Sequence, residues 1–264
     1  MENNNFTSSP AEIRQKIRHG ELIRPTAGLA PGYVQTNVVI LPKELSYDFL
    51  LFCKKNPRAC PLIEVMDPGE FEAILSAPNS DIRSDIPLYR IYKDGILFEE
   101  ISDIKTKWRK DFVTFLIGCS FTFEAALIKN GIQLNHIKEG KNVSMFVTNI
   151  PTERAGVFSG PMVVSMRSIQ IDKVDQAIQT TAKFPSMHGA PIHIGNPKEI
   201  GILDIDNPDF GDRTLIKENE TPVFWACGVT PQSIAMSSNP PIMITHAPGH
   251  MFITDKKDEE YAII

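Results

Sequence analysis

The longest apolar stretch of the chain runs only from Phe112 to Cys119, which confines the protein to folds assembled from brief strands and modest helices. A membrane-crossing helix needs about 20 apolar residues, so none is expected. Beyond Asn142 short apolar runs follow one another: Val143 to Val147, Met162 to Met166, Ile192 to Ile194, Val223 to Cys227 and Ile242 to Thr245. Each suits a strand. A helix over Lys173 to Lys183 and another starting near Thr230-Pro231-Gln232 interleave with them. The reading is therefore α/β, with mixed sheets, flanking helices and two closely packed subdomains. The 264 residues are read as one unit, 1–264, with a weakly marked subdomain boundary near 140–160.

The amino-terminal half has sharper punctuation. Ser9-Pro10-Ala11-Glu12 combines a capping serine, proline at the first helical position and glutamate three after the cap, which predicts a helix to about His19-Gly20. Leu45, Phe49, Phe52 and Cys53 share a face of a helix over Lys43 to Lys55, ended by Asn56-Pro57. Val34 to Leu41 reads as a strand. Asp94-Gly95 between Tyr89–Tyr92 and Ile96–Glu99 predicts a hairpin. Trp108 to Lys129 reads as two helices joined by a turn at Gly118-Cys119-Ser120, with Asn130-Gly131 as the closing cap. Ala30-Pro31-Gly32 and Ala247-Pro248-Gly249 both suit type II turns, with proline second and glycine third.

Charge excludes some partners. A net charge of -5 with no arginine or lysine stripe speaks against nucleic acid and leaves a small molecule as the expected ligand. Cys53, Cys60, Cys119 and Cys227 lack C-x-x-C spacing and fit a reducing cytoplasm. Met1-Glu2-Asn3-Asn4-Asn5 has neither the basic start nor the apolar run of a signal peptide, so neither export nor membrane insertion is expected. No dinucleotide fingerprint or Walker loop occurs, and no cofactor is called for. Association into a homo-oligomer is left open.

Four of the six histidines lie in two distant stretches, His188-Gly189-Ala190-Pro191-Ile192-His193 and His246-Ala247-Pro248-Gly249-His250. Glycine and proline fix backbone shape and small neighbours admit a ligand, so these imidazoles read as held proton-transfer groups. Four unrelated loop histidines would give the same letters. A metal is not expected, because i, i+4 spacing favours a metal only on a helix and Pro248-Gly249 forbids one. Arg24 to Gln35 has the texture of a ligand loop: Arg24 can clamp a carboxylate, and Gln35 or Asn37 can bond a polar head group, with Tyr33 beside them. A plain connector would look alike. Cys119 and Ser120 precede a helix whose amino end favours a thiolate or anion, though a buried thiol and a capping serine explain the pair equally. Glu64, Asp85, Asp204, Asp209 and Asp212 are each able to orient an imidazole.

Several long strings carry a resemblance. Thr26-Ala27-Gly28-Leu29-Ala30-Pro31-Gly32-Tyr33-Val34-Gln35, Ile117-Gly118-Cys119-Ser120-Phe121, His188-Gly189-Ala190-Pro191, Phe224-Trp225-Ala226-Cys227-Gly228-Val229-Thr230-Pro231-Gln232 and Thr245-His246-Ala247-Pro248-Gly249-His250-Met251 resemble, in this order, the D-glutamate cyclase family of hydro-lyases. The resemblance implies an α/β enzyme of two closely joined parts that eliminates water, with closure of D-glutamate to 5-oxo-D-proline as the family reaction. Larger animal members carry an additional carboxyl-terminal domain, whereas this chain ends at Ile264. Under this reading one of His188 or His193 is the base, one of His246 or His250 the acid, and Arg24 or Arg167 grips a substrate carboxylate. Cys119 stands as a further catalytic candidate and Tyr33, Gln35 and Ser120 as substrate contacts. The rival readings are a non-catalytic amino-acid-binding module and a cysteine- or metal-dependent hydrolase.

Overall fold

In chain order the elements are α1 (Pro10–Arg18), β1 (Tyr33–Pro42), α2 (Lys43–Lys55), β2 (Leu62–Val65), β3 (Tyr89–Lys93), β4 (Ile96–Ile101), β5 (Phe112–Gly118), α3 (Phe121–Lys129) and α4 (Asn135–Lys138). They continue with β6 (Ser144–Pro151), β7 (Pro161–Gln170), α5 (Val174–Ala182), β8 (His193–Ile194), β9 (Glu220–Ala226), α6 (Thr230–Ser238), β10 (Met243–His246) and β11 (Phe252–Lys257). The computed structural model describes residues 8–263, so the amino-terminal segment inspected above for a leader lies outside the described residues. Among the described residues no helix is long and apolar enough to cross a membrane.

Two sheets flanked by helices make the α/β architecture, and every ladder between named strands is antiparallel. The larger sheet has the order β2-β5-β1-β10-β3-β4, with β11 also on β1; the smaller is β6-β7-β9-β8. Both faces of the larger sheet are covered. Phe115, Ile117, Val39 and Leu41 pack against Phe49 and Phe52 of α2 and Ile234 of α6. Val38, Ile40, Phe112 and Leu116 pack on Ala73, Ile82, Ile86 and Ile104, which belong to the irregular segment around β3. In the smaller sheet Ile169, Val223 and Trp225 face Phe123 of α3 and Ala177 of α5, with Val34 of β1 in the same cluster.

This double coverage explains one correction. Phe112 to Gly118 is a strand, not the first of two helices, because a strand buried on both sides carries a continuous apolar run with no alternation to betray it. The second half of that reading holds: α3 ends at Asn130, followed by Gly131 at φ 75°. The capping box at Ser9, α2, the hairpin at Asp94-Gly95, α5, α6 and the five later strands form where the sequence places them.

The long strand β1 is the hinge of the site. Along one edge its last residues pair with β10 (Val39 opposite Thr245) and its first with β11 (Thr36 opposite Phe252), so residues 246–251 bulge out opposite Asn37 and Val38. Proline at position 248 and Gly249 at φ 81° close the bulge as the expected turn, with His250 N–H donating to Ala247 O at 2.9 Å. Thr26 stitches the 24–32 loop onto the bulge: its N–H and Oγ1 both donate to Gly249 O, and Oγ1 accepts from Met251 N–H.

Candidate active site

Arg167, in the middle of β7, is the fully buried centre of a polar cluster where α3 meets the smaller sheet. Its Nη1 donates to Ser165 Oγ at 2.7 Å, its Nη2 to Ser120 Oγ at 2.9 Å, and both Nε and Nη2 to Glu124 Oε1 at 3.0 and 2.5 Å. His136 of α4 brings its Nε2 to 3.0 Å from the same oxygen. The guanidinium and imidazole outweigh burial and hold the Glu124 carboxyl down at about 2. Ser120 sits at the amino end of α3 without capping it, because its hydroxyl is committed to Arg167. The two thiols beside this cluster are protonated: burial pushes Cys119 well up despite the helix terminus, and Cys227 up to about 11.

Glu124 opens the cluster onto a cavity of about 180 Å³, walled by the Gly28–Gln35 loop, Phe121, Ala125, Ile128 and Asp258. Tyr33 and Gln35, both expected at a ligand site, line it. Gln35 also fixes the loop, since Nε2 donates to Thr26 O and Leu29 O. Asp258, just past β11, has its carboxyl pushed up to about 7 by burial and by Glu259, against the pull of Lys257.

Of the four imidazoles, His246 and His250 pair and the other two stand apart. His246 is buried; its Nδ1 lies 3.1 Å from Val38 N and 3.4 Å from Val38 O, and the shorter contact, in which the Val38 N–H donates, assigns the ring proton to Nε2. Desolvation lowers it to about 3, with His250 and Arg90 adding to the effect. His250 is half-buried, its Nδ1 donates to Pro248 O at 3.1 Å, and burial lowers it as well. Gln232 of α6 links this pair to β3, donating to His246 O and accepting from Tyr92 Oη and Arg90. His188 is buried at φ 76°, donates from Nδ1 to Arg58 O at 2.7 Å, and is lowered to about 4 by burial, with Arg167 among the nearby charges. His193 stands apart on β8, bonded to Asn196 O at 2.8 Å. Asn37 holds the centre together: its Nδ2 donates to Gly118 O at 2.8 Å, and Gly228 abuts its amide so closely that any side chain there would collide.

The structure thus joins Ser120 with Arg167, Tyr33 with Gln35 around the Glu124 cavity, and His246 with His250. Arg24 is exposed and has no ion pair among the described residues. Of the five carboxylates singled out as supports, Asp85 binds Arg18 in bidentate fashion, while Glu64, Asp204, Asp209 and Asp212 accept from backbone N–H groups. Among the described residues no three side chains of the His, Cys, Asp or Glu types are grouped to hold a metal ion. Sequence reasoning missed Glu124, His136 and Asp258 as site residues. Glu124 had a signal, a lone charge in the otherwise apolar first turns of α3; Asp258 sits in a run of surface-like charges and had none.

Fold and site define an α/β protein with ionisable groups gathered in its interior beside a small cavity. The chain belongs to the D-glutamate cyclase family, whose profile matches residues 113–255. A protein of Geobacillus kaustophilus named "Putative hydro-lyase" is 59% identical over 97% of this chain and 97% of its own. Proteins with the same printed designation from Thermoanaerobacter sp. (61% identical, 96% of each chain) and Bacillus pumilus (57%, 98% of each) are similar to it along nearly their whole length.

Proposed function

We propose that the protein is a hydro-lyase acting on a small carboxylic or amino acid, with closure of D-glutamate to 5-oxo-D-proline as its specific reaction. One observation carries the catalytic part of this reading. His188 and His246 each have a buried Nε2 without a partner among the described residues, and their backbone bonds give the two atoms opposite character. His188 Nδ1 donates, so its Nε2 offers a lone pair; His246 Nδ1 accepts, so its Nε2 offers a proton. Buried polar atoms left unpaired cost stability, and a substrate supplying one donor and one acceptor would satisfy both. Closure forms an N–C bond at the side-chain carboxyl carbon and breaks a C–O bond; the ammonium gives up two protons and the departing oxygen leaves with both as water. His188 Nε2 accepts a proton as the N–C bond forms, the neutral His246 ring donates a hydrogen bond to the carboxyl oxygen without giving up its proton, and the protons shed by the amine leave with the departing oxygen. Holding an intramolecular five-membered geometry supplies about 7–11 kcal/mol of the barrier, so no phosphoryl activation is needed.

Incubation with D-glutamate, followed by chiral detection of 5-oxo-D-proline, tests the reaction. Asparagine tolerates the left-handed backbone at position 188, and glutamine still offers Val38 an acceptor at position 246. His188→Asn and His246→Gln should each lower turnover about 10²- to 10⁴-fold without unfolding the protein. Full activity in both variants would refute the imidazole roles. Loss of water from hydroxy acids but not from D-glutamate would move the substrate, and binding without conversion would make the chain an amino-acid-binding module.

A further inference from the structure

The cavity beside Glu124 has a one-sided chemistry that the imidazole reading does not use. None of its lining residues is positively charged, and none is a histidine. Three of them bring acceptor oxygens with nothing to accept among the described residues. Gln35 is 4% exposed, and because its Nε2 is bound by two loop carbonyls the amide cannot flip, so Oε1 faces the interior unpaired. Asp258 is 8% exposed with Oδ1 buried and unpartnered. In Glu124 the contacts from Arg167 and His136 all fall on Oε1, leaving Oε2 without a hydrogen bond among the described residues. The aromatic face of Tyr33 completes the wall and already attracts one cation, Lys257 Nζ at 3.6 Å from the ring centre.

We infer that this cavity is a recognition site for the primary ammonium group of a small amino acid, which donates to Gln35 Oε1, Glu124 Oε2 and Asp258 Oδ1. An ammonium has three donors and no acceptor, the complement of this wall. The rest of the ligand has a place to go. An adjoining cavity of about 440 Å³ shares Gly32, Ala125 and Asp258 and adds Lys129 and Lys257 along with Glu259, so a carboxylate reaching outward meets two ammonium groups. That asymmetry selects a zwitterion over a diamine. The burial that pushes the Asp258 carboxyl up is relieved when a cation arrives beside it. The inference concerns recognition alone and stands whether or not the imidazoles catalyse water loss.

Calorimetric titration of the full chain with D-glutamate, L-glutamate, 4-aminobutyrate, glutarate and putrescine tests it. At least one amino acid should bind about tenfold or more tightly than glutarate, which lacks the ammonium, and than putrescine, which lacks the carboxylate. Asp258→Asn should weaken that binding about tenfold, and Ala125→Trp, which fills the mouth without touching the polar groups, should abolish it. Ala125→Trp should unfold near the wild-type temperature, and Asp258→Asn at or above it. Glutarate or putrescine binding as tightly as the best amino acid, or amino-acid binding indifferent to Ala125→Trp, overturns the inference, as does no amino-acid binding at millimolar concentration. Binding that behaves as expected without turnover leaves this site standing and removes the hydro-lyase; turnover untouched by Ala125→Trp does the reverse.

Discussion

At the residue scale, burial sets the proton affinities and so the pH response. His188 and His246 are held at about 4 and about 3, below the ordinary 6.5, so the folded state resists protons that the unfolded chain accepts. Their contribution to stability is full above about pH 6.5 and drains away as the pH falls toward those lowered values, by about 1.4 kcal/mol per pH unit for each ring at most. Urea midpoints measured from pH 7.5 to pH 4.5 should fall steadily in the wild type and less steeply in His188→Asn or His246→Gln. Asp258 has the opposite sign. Its carboxyl is raised from 3.8 to about 7, so its contribution is full at low pH and is lost as the pH climbs through that interval. Asp258→Asn should therefore melt above the wild type at pH 8, and the gap should shrink at pH 5 in differential scanning calorimetry. The histidines were legible because glycine and proline advertise a fixed backbone around them. Glu124 takes its character from Arg167, distant in sequence, and from His136, and Asp258 chiefly from burial by the rest of the fold, and no local pattern encodes either.

At the scale of elements, the interruption between β10 and β11 is the device that matters. Six residues of bulge replace a straight ladder, and the Val38 N–H that would have gone unpaired is taken by an imidazole. Thr26 anchors the arrangement from the loop side. Thr26→Val should cost about 1–3 kcal/mol in chemical denaturation, because it strands the buried Met251 N–H. A loss under half a kcal/mol would show that the loop and bulge hold each other by other means. The turns and amphipathic helices announced themselves through caps and spacing, whereas β5 did not: Val113, Thr114 and Ile117 favour a strand, but an unbroken apolar run has no period to read. The strands β2 and β11 escaped notice because one has four residues and the other ends in charges that belong equally to a loop.

At the scale of the molecule, the Arg167–Glu124 pair ties α3, which follows the larger sheet, to a central strand of the smaller one. Glu124→Gln would leave a buried guanidinium uncompensated and should cost about 3–5 kcal/mol. Glu124→Leu with Arg167→Met should cost less than either change alone, which a double-mutant cycle by urea denaturation measures. The chain enters the smaller sheet at Ser144, inside the interval where the sequence suggested a weak boundary, and returns to the larger sheet at Met243. We therefore propose one cooperative unit: the full chain should melt in a single transition, and a fragment ending at residue 142 should show none. A fragment with its own sharp transition would establish an independent first half.

The same strand order dictates a timetable for synthesis. Strands β1 and β3 leave the ribosome early, yet β10, which must lie between them, emerges only after every strand of the smaller sheet. Until then the nascent chain carries two open edges with no mate, so holding it apart from its neighbours in the cell is a demand placed on chaperones by topology alone.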